Sequence, residues 1–145
     1  MNMMMRNNFA KAYSNTAVES AVSEASPHKL VEMLYDGAIK NLNLGKIFLE
    51  QKNFEKKALH LNKALSIIAA LQAGVDYEKG GEVAANLGGL YDYCYRTVFQ
   101  ASTRNDVVKI DEVIDLIKPI AEAWKQMPDN IKRVSKDQLD RMSAA

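Results

Sequence analysis

Cysteine is almost absent from this chain. Cys94 is the single one in 145 residues, so no internal disulfide can form, which fits a reducing compartment. Histidine occurs only as His28 and His60. Neither belongs to a Glu-x-x-His pair, so a ferritin-like di-iron site is unsupported, and no His/Cys spacing suits zinc. Gly80-Gly81 is not part of a Gly-x-Gly-x-x-Gly string and is not followed by Lys-Ser/Thr, which argues against a phosphate-cradling loop. Long apolar runs are missing too. The opening Met-Asn-Met-Met-Met-Arg is too short for a signal-peptide core, and no stretch approaches the roughly 20 apolar residues of a membrane helix. Nor does one sign of charge dominate: 19 basic and 18 acidic residues leave +1. Net charge therefore gives no reason to invoke nucleic acid or insertion into a membrane. These absences predict a soluble cytoplasmic protein that is not an enzyme and carries no metal or cofactor.

What the chain has is helical periodicity. Ser26-Pro27 reads as a helix start, with serine as N-cap and proline at the first helical position. Leu30, Val31, Leu34, Tyr35, Ala38, Ile39, Leu42, Phe48 and Leu49 then fall on one side of a helix, and Lys29, Glu32, Asp36, Lys40, Asn43 and Glu50 on the other. The apolar arc covers roughly 180°, wider than the ~100° stripe that faces a single core. A second helix is predicted over Phe54 to Gln72, with Phe54, Ala58, Leu61, Leu65 and Ile68 at three- and four-residue steps. Gly74 is expected to stop it in the left-handed conformation. A turn at Gly80-Gly81 leads to a third helix over about Glu82 to Thr103. Its inner stripe is Val83, Leu87, Leu90, Tyr91, Cys94, Val98 and Ala101, flanked by Tyr95 and Phe99, with Tyr93 apart. Gly88-Gly89 inside it either permits close helix approach or leaves a soft point. A fourth helix over Val107 to Lys125 carries Ile110, Val113, Ile114, Ile117, Ala121 and Trp124. Pro119, on its solvent side, either bends it or breaks it at Lys118.

These four amphipathic helices with short connections predict an all-α, antiparallel up-down-up-down four-helix bundle over residues 26–127. Residues 1–25 read as a mobile arm, in which Tyr13 and Val18 are apolar side chains with a groove to fill. Residues 128–145 read as a mobile tail. His28 and His60 are expected at the surface, and Cys94 as a buried, inert thiol.

The strings themselves go further. Ala12-Tyr13, then Ala25-Ser26-Pro27-His28-Lys29-Leu30-Val31-Glu32-Met33-Leu34-Tyr35-Asp36-Gly37-Ala38-Ile39, resemble the signature of the flagellin-specific secretion chaperones, the FliS family. Gly80-Gly81-Glu82-Val83-Ala84-Ala85-Asn86-Leu87, Leu90-Tyr91-Asp92-Tyr93 and the helix ending in Trp124 follow in the same order. The resemblance spans about Tyr13 to Met127.

It implies a cytoplasmic chaperone without catalysis or cofactor. Such a protein binds the disordered C-terminal segment of flagellin, prevents premature polymerisation and delivers the client to the flagellar type III export gate. The client-binding candidates carried by the motif are Leu30, Leu34, Tyr35, Ala38, Ile39 and Leu42 on the first helix, with Asp36 and with Asn86, whose alternative is a local cap; Tyr13 and Val18 join them as the arm that lies over the groove. Asp36 has a surface ion pair as its alternative role, and Tyr91 reads as core. A homodimer, or a homo-oligomerising interaction module, is the competing use of the wide apolar stripes.

Overall fold

The computed structural model describes residues 25–127, and among these there are four helices and no strand: α1 (Pro27–Glu50), α2 (Phe54–Ala73), α3 (Tyr77–Arg104) and α4 (Val107–Lys125). Each start has a side-chain cap. Ser26 Oγ accepts from the Lys29 amide at 3.1 Å, Asn53 Oδ1 from Lys56 at 3.2 Å, Asp76 Oδ1 from Lys79 at 3.1 Å and Asp106 Oδ1 from Val108 at 3.0 Å. Each bond satisfies a first-turn donor that the helix leaves open.

The helices close into a ring in which α1 packs on α2 and α4, and α3 packs on the same two. α1 and α4 run antiparallel: His28 at the start of α1 meets Trp124 at the end of α4, and Lys46 near the end of α1 meets Asp111 near the start of α4. The axis is filled by Leu34, Leu42, Leu61, Ile67, Val98 and Val113, all fully buried. Each is worth about 1.5–3 kcal/mol relative to exposure. The ring also explains the 180° arc of α1. A helix in it faces the axis and two neighbours, so Val31, Met33 and Ile39 are used as partly buried packing against the core.

Several details depart from expectation. Gly74 ends α2 in the right-handed region (φ −83°), and the left-handed positions fall instead on Lys52 (φ 59°), Gly81 (φ 55°) and Asn105 (φ 53°). α3 begins at Tyr77, ahead of the glycine pair, and the predicted turn survives as a kink at Gly81 inside it. Beyond the kink the inner stripe runs through Ala84, Gly88 and Tyr91, which leaves Val83, expected inside, 76% exposed. α4 continues past Lys118 to Lys125. Asp115 and Pro119 are both exposed, so water can take the carbonyl that the proline leaves unbonded.

The glycines have different uses from those predicted. The close helix approach occurs at Gly45, where an added Cβ would stand 2.8 Å from Leu61 Cγ. Gly88 seats the Tyr77 ring, whose carbons would lie 2.7 Å from such a Cβ, and Gly89 faces open space.

Candidate functional site

The signature string of α1 builds a junction between three helices. His28 is buried, contrary to its predicted surface position. Its ring stacks on Trp124 with centroids 4.6 Å apart, and its Nε2 donates to the Trp124 carbonyl at 2.9 Å. Trp124 Nε1 returns the bond to the His28 carbonyl, also at 2.9 Å. Two turns further in, the Tyr35 and Tyr91 hydroxyls share a 2.6 Å hydrogen bond within the core, and the Tyr35 ring stands edge-on to Trp124. Burial pushes the acidity of both phenols down, raising their pKa values above the usual 10. Cys94 is fully buried, and desolvation, reinforced by Glu112, raises its thiol to about 11. A thiol held protonated is a poor nucleophile.

Consequently Leu30, Leu34, Tyr35, Ala38 and Leu42, expected to line a groove, are core residues covered by the bundle itself. The α1 candidates that remain at the surface are Ile39, half-buried, and Asp36, exposed. Asp36 Oδ1 lies 2.8 Å from Lys125 Nζ, the ion pair that was its alternative role, and this hydrogen bond raises the lysine's pKa. Asn86 is exposed on α3. Tyr13 and Val18 lie outside the described residues.

The apolar surface lies elsewhere, on the seam between α2 and α3. Lys57 at the start of α2 donates to the Ser102 carbonyl at 2.8 Å and to Asn105 Oδ1 at 2.9 Å, fixing which side of α3 faces α2. Tyr95 and Phe99 share the Ser102 stripe at helical spacing. Phe99 is 54% exposed, Tyr95 37% and Phe54, whose ring underlies the Lys57 ammonium at 5.8 Å, 49%. Sequence reading counted Phe54 as core and Tyr95 and Phe99 as a flank. The usable signal was that α3 carries aromatic side chains over more of its circumference than its two neighbours can cover.

With this geometry in place, comparison with known proteins is decisive. The model of the family described as "Flagellar protein FliS" matches residues 9–131. The chain belongs to the FliS family. The chain is 53% identical to the flagellar secretion chaperone FliS of Salmonella typhimurium over 118 residues, 81% of this chain and 87% of that protein. It is 43% identical to its namesake of Vibrio cholerae, with the same coverage, and 34% identical to that of Bacillus subtilis over 74% of this chain and 80% of the relative. For this FliS-family chain, the resemblance drawn from the signature string is thereby established. The described residues explain much of that string physically: Ser26 caps, Pro27 starts, His28 clasps Trp124 and Tyr35 bonds Tyr91. Among the described residues no His, Cys, Asp or Glu cluster could hold a metal, and no helix is long and apolar enough to cross a membrane.

Proposed function

We propose that this chain is a secretion chaperone of flagellar export. It holds the C-terminal segment of newly made flagellin in the cytoplasm against premature polymerisation and presents it to the flagellar type III export gate. The observation that carries this reading, beside family membership, is the exposed aromatic stripe Phe54, Tyr95 and Phe99 along α2–α3. Exposed apolar surface of this kind marks an interaction site, and a seam between two antiparallel helices suits an amphipathic segment laid along it.

The chemistry matches the task. A disordered client that folds on binding buries about 1,000–3,000 Å² and gives up roughly 2–5 kcal/mol to ordering, so capture is specific and release at the gate remains accessible. Ile39, Asp36 and Asn86 stand at the surface as secondary contacts, and Tyr13 and Val18 supply the arm. Leu30, Leu34, Tyr35, Ala38 and Leu42 act through the shape of the bundle they fill.

Size measurement of the protein with and without a flagellin C-terminal peptide tests the reading. A shift to a 1:1 complex supports it. Dimers indifferent to the peptide would favour the homo-oligomerising module instead.

A further inference from the structure

Round the bundle from the aromatic stripe lies a second seam, between α1 and α2, with a different chemistry. His60 of α2 stacks on Phe48 of α1, centroids 5.4 Å apart and planes within 12°. His60 Nδ1 donates to Asn41 Oδ1 at 3.1 Å, and Asn41 Nδ2 in turn donates to the Gly37 carbonyl at 2.8 Å. These contacts pin the two helices in register. Lys56 Nζ lies 5.3 Å from the centroid of Phe48. Lys56 and Lys63 lie four residues before and three after His60 on α2, on its side of the helix, and Lys40 adjoins Asn41 on α1; burial, followed by the charges of Lys63, Lys40 and Lys56, lowers the pKa of His60. Next in sequence to Phe48 and His60, Ile47 is 47% exposed and Leu59 52% exposed.

Among the described residues, none of Lys40, Lys56 and Lys63 forms an ion pair with a carboxylate. Of the acids of α1, Glu32 pairs with Lys29 and Asp36 with Lys125. In a chain whose net charge is +1, this is segregation of charge onto one seam.

The geometry points to this α1–α2 seam as a docking surface for an acid-flanked amphipathic helix of a partner protein, its apolar stripe covering Ile47 and Leu59 and its carboxylates meeting Lys40 and Lys63 at one level and Lys56 at another. The spacing follows from the helix. Lys40 and Asn41 mark the first level and Phe48, beneath Lys56, the second, with His60 between them. Seven residues along α1 rise about 10 Å, so the partner presents carboxylates about two turns apart. A shallow seam between two helices fits a third helix better than a bilayer, because the lysine stems as well as the two apolar side chains are then covered. The surface is separate from the α2–α3 stripe and does not depend on the client reading.

The test uses the full chain and a fluorescent, leucine-striped helical peptide with glutamates about two turns apart on both flanks. The same peptide with lysines for glutamates is the control, and vesicles of phosphatidylserine and phosphatidylcholine form a third arm. The glutamate peptide is expected to bind, to shift amide resonances of residues 40–63, and to bind at least tenfold more tightly than the lysine peptide. The triple variant Lys40→Glu, Lys56→Glu, Lys63→Glu is expected to lose that preference, and the milder Lys→Gln triple to lose part of it, while both still bind the flagellin C-terminal peptide. Phe99→Asp is expected to leave glutamate-peptide binding intact. Equal binding of the two peptides, no binding, shifts confined to α3 and α4, or retention by the vesicles in place of the peptide would each overturn the proposal.

Discussion

The hydrogen bond between Tyr35 and Tyr91 predicts a specific pattern of mutant stabilities. Both residues are 2% exposed, their oxygens are 2.6 Å apart, and the described residues contain no buried side-chain polar atom without a partner. Tyr35→Phe strands the Tyr91 hydroxyl in the core, and Tyr91→Phe strands that of Tyr35. Each single change is expected to cost about 1–3 kcal/mol, the penalty for an unmatched buried polar group. The double change removes both hydroxyls while keeping both rings, so its cost is expected to fall below the larger single cost and far below the sum of the two. Urea unfolding of the four proteins measures this. For a domain of this size a cost of 1 kcal/mol is a fall of about 4–8 °C in Tm, so thermal scans give an independent check. If the double variant loses as much as the two singles added together, the hydroxyls are not each other's partners and the account of the α1–α3 contact is wrong.

Further outcomes follow from the same core and from the arm. Gly45→Ala drives a methyl into Leu61 and is expected to destabilise by about 1–3 kcal/mol in denaturant unfolding, whereas Gly89→Ala, facing open space within a helix, is expected to stabilise by up to about 1 kcal/mol. Alkaline pH should weaken the fold. The unfolded Cys94 thiol releases its proton near 9 and the folded one near 11, so its contribution is intact below 9 and is lost as pH rises through that window. Tyr35 and Tyr91, also raised by burial, extend the loss above 10. The thermal midpoint is expected to drop between about pH 9 and 11, less steeply in Cys94→Ala, and an unchanged midpoint would contradict the burial of these groups. Removal of the first 24 residues is expected to weaken flagellin-peptide binding, measured by calorimetry, without changing the circular dichroism of the bundle; unchanged affinity would show that Tyr13 and Val18 take no part.

The architecture was legible because local signals agreed with each other. Ser26-Pro27 capped α1 as read, and most of the apolar stripes of α1, α2 and α4 became the core. The functional surface was harder to see. A wheel shows how wide an apolar arc is but not how many neighbours it has, and α1, which had the widest arc, proved to be covered on both flanks. His28 was misplaced because its burial depends on Trp124, 96 residues away. Gly88 was ambiguous for a related reason: Tyr77 reaches back over it only because Gly81 kinks the chain between them. The family strings carried information that periodicity lacked, and most of the α1 residues they mark build the bundle junction and its core.

Phe99 offers the most direct test of the central claim, that the α2–α3 seam receives the flagellin segment. Its side chain is exposed, so Phe99→Asp leaves the core intact. Calorimetric titration of wild type and variant with the flagellin C-terminal peptide is expected to show a 1:1 complex whose affinity falls about thirtyfold or more in the variant, equivalent to at least about 2 kcal/mol for a buried aromatic anchor. Equal affinity for the two proteins, with the variant folded, would contradict the account.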